Sequence, residues 1–298
     1  MLTKISDLHQ MALTQSRKKL VLAAAQDQNA LEAVINASEN GIVDVVLIGD
    51  KPLIEEICQK ADLDISAFEL LHEPDNEKAA VLSVKMVSEK KADILMKGHI
   101  STSCLLRAVL NKEWGLRSGE LLSHLALFEM PAYHKIIAIT DAAINIAPDL
   151  KGKVSIIKNA VNYLIKLGIN KPKVAVLSAV ETVNPDMKSS IDAAALAKMG
   201  DRGQISNCII DGPFAFDNAI SKKSAELKKI KSTVAGDVDL LVGDDLDVSN
   251  AIYKSFIYFA HAKCAAVIVG AAAPIVLTSR SDSDETKLNS IALAAAIN

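Results

Sequence analysis

Aromatic side chains are scarce in this chain, 4% of its 298 residues, and it has only 13 glycines. The apolar fraction of 50% therefore rests on Ala, Val, Ile and Leu. That composition suits helices packed on a buried parallel sheet. The shortage of glycine argues against a dinucleotide site, and no GxGxxG follows the first strand-like run, where Leu22-Ala23-Ala24-Ala25-Gln26-Asp27 stands instead. A P-loop (GxxxxGK followed by Ser or Thr), a GxSxG elbow, HExxH and Cys–His zinc spacings are also missing. These absences exclude the common nucleotide and metal enzymes.

Charge of one sign is lacking too. With 33 basic and 36 acidic residues the net charge is -3, and no basic stripe of the kind nucleic acid requires is present. The densest positive run, Lys222, Lys223, Lys228, Lys229 and Lys231, is expected to be a solvated helix face. Cys58, Cys104, Cys208 and Cys264 form no CxxC pair, which fits reduced thiols in an intracellular, cytoplasmic protein without zinc. The longest apolar run, Cys264 to Leu277, is too short for a bilayer and is broken by Pro274. Met1 to Lys19 mixes polar and apolar residues and does not read as a signal peptide. Neither a membrane nor a nucleic-acid partner is expected.

Short runs of Val, Ile and Leu alternate with segments of helical period, the α/β signature. Strands are expected at Lys19–Ala25, Val43–Ile48, Phe68–His72, Asp93–Met96, Lys173–Leu177, Cys208–Asp211, Leu240–Val242, Val267–Val269 and Ile275–Thr278. Leu122–Phe128 and Ile136–Thr140 read as an antiparallel pair. Helices are expected at Asn29–Asn40, in a segment led by Pro52, and at Asn76–Lys91, Ser101–Leu110, Val154–Leu167, Pro185–Lys198, Asp247–Phe259 and Asp284–Ile297. No linker or repeat marks a boundary. Two α/β domains are expected, one of residues 1–147 plus 272–298 and one of residues 148–271, with the active site in the cleft between them.

Candidate chemistry sits where strands end, the usual place in open α/β sheets. Met96-Lys97-Gly98-His99-Ile100-Ser101-Thr102-Ser103 closes a strand and opens a helix, with Arg107 one to two turns on. Its N–H groups and hydroxyls read equally as an anion cradle or as ordinary capping. Thr140-Asp141-Ala142-Ala143-Ile144-Asn145 delivers an Asp and an Asn into irregular chain, and alone it reads best as an Asx turn. Asp211-Gly212-Pro213 and Asp244-Asp245-Leu246-Asp247 with Asn250 are acidic, but their spacing lacks the calcium-loop pattern and helix capping explains much of it. Thr278-Ser279-Arg280 ends the last strand before the acidic start Ser283-Asp284-Glu285. Arg280 can grip a phosphate with two parallel bonds or pair with those acids.

Taken in order, these blocks, with Val174-Ala175-Val176-Leu177-Ser178 and Tyr253-Lys254, resemble the phosphate acetyl/butyryltransferase family over essentially the whole chain. Leu121-Leu122-Ser123-His124 and Ser283 to Ser290 are more similar to its butyryl branch. The resemblance implies a two-domain α/β fold related to the isocitrate and isopropylmalate dehydrogenases, an interdomain cleft and a homodimer. It implies the reaction acyl-CoA + phosphate ⇌ acyl phosphate + CoA, with coenzyme A as a substrate and no permanently bound cofactor or metal. The serine and arginine matching Ser279 and Arg280 would contact the thioester and phosphate. Substrate binding would fall to Lys97, Thr102, Arg107, Asp141, Asn145, Asp211 and Asn250. Acetyl-type members carry a proposed aspartate base six residues after that arginine, where this chain has Thr286. Asp284 or Glu285 would take the role, or the thiol is deprotonated differently. Rival readings are a phosphate acetyltransferase, a non-catalytic acyl-CoA-binding protein and a dehydrogenase of the same fold.

Overall fold

A computed structural model of the chain describes residues 2–277 and 282–297. In chain order the elements are α1 (Asp7–Thr14), β1 (Lys18–Ala23), α2 (Gln28–Glu39), β2 (Val43–Gly49), α3 (Lys51–Ala61) and β3 (Glu69–His72). Then come α4 (Asn76–Ser88), β4 (Ile94–Lys97), α5 (Thr102–Val109), β5 (Ser123–Glu129), β6 (Ile137–Thr140) and α6 (Leu150–Lys166). β7 (Lys173–Leu177), α7 (Lys188–Asp201), β8 (Ile209–Phe214), α8 (Phe216–Ile220), α9 (Lys222–Leu227) and β9 (Leu240–Val242) follow. The chain closes with α10 (Leu246–Tyr258), β10 (Lys263–Val269), β11 (Ile275–Val276) and α11 (Asp284–Ala295).

The elements divide into two compact units. A terminal unit comprises Ser6–Glu120 and Ala265–Asn298, and a central unit comprises Met1–Ile5 and Leu121–Cys264. The sequence expectation divides the chain at 147/148 and 271/272 instead. The hairpin β5–β6 belongs with the central strands because β6 pairs in parallel with β9 from Ala138↔Leu240 to Thr140↔Val242.

In the terminal unit the strand order is β3-β2-β1-β4-β11-β10. All its pairs are parallel except β10–β11. β1 and β2 are buried along most of their length, as parallel strands covered on both faces must be. Leu31 and Val34 of α2 and Ala80 and Val84 of α4 pack on them with fully buried apolar side chains, and Ile291 and Leu293 are buried on α11, which packs on α2 and β11. Each such large side chain contributes roughly 1.5–3 kcal/mol of transfer free energy.

In the central unit the order is β5-β6-β9-β7-β8, with β5–β6 antiparallel and the other pairs parallel. Its core holds the buried aromatics Phe128, Tyr163, Phe214, Tyr253 and Phe256. Phe128 meets Tyr253 and Phe256 of α10 edge to face, with centroids 5.3 and 5.1 Å apart. That is the geometry the ring quadrupoles favour. The five lysines from Lys222 to Lys231 are all exposed, although only Lys222 and Lys223 are helical. Among the described residues, no helix is long and apolar enough to cross a membrane.

Candidate functional site

In the terminal unit, three strand ends are tied together at the carboxyl edge of the sheet. β4 ends at Lys97, and the N–H groups of Gly98 and His99 donate to the Ala23 and Ala24 carbonyls at 2.9 and 2.7 Å. This approach leaves no room for a side chain, because a Cβ on Gly98 would lie 2.2 Å from the Ala24 oxygen. Gln26 donates to Asn76 at 2.7 Å, and Asn76 donates to the His99 carbonyl at 3.0 Å. The Lys97 ammonium donates to the Gly98 and Ile100 carbonyls at 3.1 and 3.2 Å, so the lysine head is held over its own loop.

The helix caps around this edge are not alike. α2, α3 and α4 are capped by Asp27, Asp50 and Asp75, whose carboxylates answer the positive helix ends. α5 is capped instead by the neutral Ser101, which accepts from the Cys104 N–H at 3.2 Å, and it has no acid in its first turn. Lys97 and the start of α5, including Thr102, are thus brought together, with no carboxylate capping that helix. Arg107 is not part of that group. Five residues beyond Thr102, it lies about 140° around the helix, exposed, with Glu77 at 3.7 Å.

β11 runs parallel beside β4 with Val276 opposite Met96, so the chain leaves β11 at the edge where β4 delivers Lys97. Ser279 and Arg280, which follow, lie outside the described residues. α11 then starts with Ser283 as its cap, accepting from the Thr286 N–H at 3.2 Å. Asp284 and Glu285 are exposed in its first turn, and Asp284 faces Lys287 at 3.1 Å. Thr286 is buried.

In the central unit the corresponding edge gathers Asp141, Asn145 and Asn250. The Asp141 carboxylate is buried and accepts from the N–H groups of Ala143, Ile144 and Asn145 at 2.9, 3.0 and 3.2 Å. It also accepts from the Asn145 amide. The same amide reaches the Leu122 carbonyl at 2.8 Å, and Asn250 donates to the Ala142 carbonyl at 2.9 Å. Thr140 donates to the His124 carbonyl at 2.7 Å, and Asn159 donates to the Leu121 carbonyl at 2.6 Å. Both the Thr140–Asp141 and Gly212–Pro213 peptides are cis. Asp211 is elsewhere: it lies on β8, separated from β6 by β7 and β9, and accepts from its neighbour Gly212 at 2.8 Å.

The acidic run at β9–α10 has structural partners. Asp245 caps α10 by accepting from Val248 at 2.9 Å, and Asp244 pairs with Lys153. Lys153, only 2% exposed, also donates to Asp192 at 2.8 Å. Asp192 is bound by Lys188 as well. Burial alone would raise the Asp192 pKa, but hydrogen bonds from Lys153 and Lys188 outweigh it and hold the carboxyl below its ordinary value. Asp141, Asn145, Lys153, Gly243 and Asp245 line a pocket with room for about one water. Among the described residues, no group of three or more His, Cys, Asp or Glu could hold a metal ion.

Sequence reasoning did not single out Lys153, Asn159 or the Gln26–Asn76 pair. Asn159 left a trace, a polar residue on the apolar stripe of α6 between Ile156 and Ala160. Lys153 left none.

Comparison with known proteins identifies the architecture. The family model described as "Phosphate acetyl/butaryl transferase" matches residues 4–80 and 68–295. A phosphate butyryltransferase of Clostridium beijerinckii is 48% identical over 280 residues, 94% of this chain and 93% of that protein. The crystal structure of a branched-chain phosphotransacylase from Enterococcus faecalis V583 superposes with a TM-score of 0.84 at 33% identity, covering 94% of this chain and 98% of that one. A 4-hydroxythreonine-4-phosphate dehydrogenase from Klebsiella pneumoniae, 13% identical, has a TM-score of 0.57 over 94% of this chain and all of its own. That likeness concerns the fold alone, and it bears out the expected dehydrogenase-like α/β architecture. The chain belongs to the phosphate acetyl/butyryl transferase family and is a phosphate acyltransferase.

Proposed function

We propose that this enzyme moves a butyryl or similar short acyl group between coenzyme A and inorganic phosphate, by direct transfer in a ternary complex. The observation that carries the proposal is Lys97 beside the serine-capped, acid-free start of α5, a setting that favours an oxyanion. The chain-length preference leans on the phosphate butyryltransferase relative. The reading includes a cytoplasmic homodimer with no permanently bound cofactor. Val248 on α10, and Tyr258 and Phe259 at its end, are exposed apolar side chains that a second copy would cover.

In the thioester-forming direction, the coenzyme A thiol gives its proton to a carboxylate, for which Asp284 and Glu285 are the candidates. The thiolate attacks the acyl carbon, and the carbon–oxygen bond to phosphate breaks. Phosphate leaves with that electron pair. Arg280 would hold the phosphate and the carbonyl oxygen, and Ser279 the thiol or the oxyanion. Lys97 and Thr102 would bind phosphate, with Arg107, Asp141, Asn145, Asp211 and Asn250 as further candidates for substrate contact. Positioning and electrostatics supply most of the acceleration.

Direct transfer is favoured over an acyl-cysteine. Cys58 and Cys264 are buried, and burial pushes the Cys208 thiol up to about 11. Burial and the nearby Glu77 also raise Cys104. Such thiols are poor nucleophiles at neutral pH.

The test is thiol release from acetyl-, butyryl- and isobutyryl-CoA, with and without phosphate or arsenate, in a chelator. Phosphate-dependent release fastest with a four-carbon thioester supports the proposal, and a preference for acetyl-CoA refutes the butyryl assignment. Arg280→Ala is expected to lose most turnover with its fold intact, and near-wild-type activity would remove Arg280 from the mechanism.

A further inference from the structure

Two lysines occupy the same helical position in the two units, and their surroundings differ. Lys153 is the fourth residue of α6 and Lys287 the fourth of α11. Each helix starts at the carboxyl edge of its sheet, and each lysine is buried, 2% and 3% exposed. A cation there sits at the positive end of the helix, where the peptide dipoles oppose it. Burial also strips its hydration, which is unfavourable unless negative charge is close.

The central unit answers this fully. Lys153 lies between Asp192 and Asp244, delivered from α7 and from the β9–α10 turn. Asp192 is itself only 11% exposed. The terminal unit answers it with Asp284, a residue of the same helical turn whose side chain is 67% exposed. Water screens that carboxylate, so it compensates a buried ammonium far less than two enclosed ones do. Lys287 also lies at the edge where β11 runs beside β4 and β4 delivers Lys97.

We propose that Lys287 is a phosphate-binding residue of the acyl transfer, its buried ammonium completed by the oxyanion of inorganic phosphate or of acyl phosphate. The assignment rests on the acyltransferase reading above and adds a residue to it. In the thioester-forming direction the ammonium stabilises the departing phosphate. In the other direction it holds the attacking phosphate. No proton or bond of the lysine changes in either. Coenzyme A also carries phosphates, so the two sources must be separated.

The experiment compares the full-length wild type with Lys287→Met and Lys287→Arg. It measures kcat and separate KM values for phosphate and butyryl-CoA, and the rise in melting temperature produced by inorganic phosphate without thioester. For Lys287→Met the phosphate KM should rise about tenfold to a hundredfold, the loss expected for a charge-assisted hydrogen bond. The KM for butyryl-CoA should stay within about twofold, and the thermal shift by phosphate should disappear. Lys287→Arg should fall between the two, because it keeps the charge but displaces it. A phosphate KM within about twofold of wild type in both variants would overturn the proposal, as would a rise confined to butyryl-CoA. If Lys287→Met does not fold, the arginine variant decides by the same criteria. The thermal shift needs no turnover, so it judges Lys287 separately from the acyltransferase reading, which the wild-type activity judges.

Discussion

Replacing Lys153 with methionine keeps the length of the side chain and removes its charge. The ammonium is 2% exposed and donates to Asp192 and Asp244. Breaking a fully enclosed pair by removing one partner costs about 3–5 kcal/mol, because the other charge is left buried and unanswered. Here Asp192 keeps Lys188, and Asp244 is 29% exposed and can regain water. The expected loss is therefore nearer 2–3 kcal/mol. At about 2–4 °C per kcal/mol for a domain of this size, the melting transition should fall by about 5–10 °C. Scanning calorimetry on wild type, Lys153→Met, Asp244→Asn and the double variant would measure it. Since the two groups touch, the double variant should be milder than the sum of the singles by about 1–2 kcal/mol. Strict additivity, or an unchanged transition in Lys153→Met, would refute the claim that these charges compensate each other.

The acid limb of stability offers a second check. Asp192 and Asp237 are both held below the ordinary carboxyl pKa. Burial opposes this in each, but hydrogen bonds from Lys153 and Lys188, and from Lys173, Lys135 and His134, outweigh it. A depressed pKa contributes stability that is complete above the unfolded value of about 3.9 and lost as pH falls through the folded one. Urea midpoints should therefore drop below about pH 4, and Asp237→Asn should flatten that drop; an unaltered slope would count against it. Gly98→Ala should lose about 1–3 kcal/mol and raise the phosphate KM, because the new Cβ meets the Ala24 carbonyl; a variant as stable and active as wild type would show that the loop can yield. The Cys208 thiol, raised to about 11, should react with iodoacetamide at pH 8 far more slowly than a free cysteine, read by mass spectrometry site by site; labelling at the free rate would contradict its burial.

Periodicity located the strands and long helices because each carries its own apolar pattern. β1 through β4 and α10 lie within a residue or two of expectation. Boundaries moved where side chains far along the chain, or capping bonds, intervene. α7 begins at Lys188 rather than Pro185, since the Ser190 hydroxyl donates to the Asn184 carbonyl and accepts its N–H, holding a turn ahead of the helix. α6 starts earlier than expected, at Leu150, because Asp149 caps it through the Gly152 N–H at 2.7 Å. α1 is missed because its eight residues span only about two turns and bury only Leu8 and Ala12. Lys97, Asp141 and Asn145 are visible as polar residues at strand ends, and Thr102 and Asn250 as polar residues in the helices that follow. Lys153 is not, since a lysine on a helix normally means solvent and its partners lie 39 and 91 residues away.

The backbone carbonyls of the central edge are held by neutral groups. The amides of Asn145, Asn159 and Asn250 and the hydroxyl of Thr140 hold the backbone carbonyls of Leu121, Leu122, His124 and Ala142. None of these donors gains or loses a proton between weakly acidic and alkaline solution, and none is weakened by dissolved salt as an exposed ion pair is. These contacts should therefore persist unchanged across the working pH range. A bell-shaped rate profile would report the titration of coenzyme A thiol, of its catalytic base and of phosphate, not the loosening of these loops.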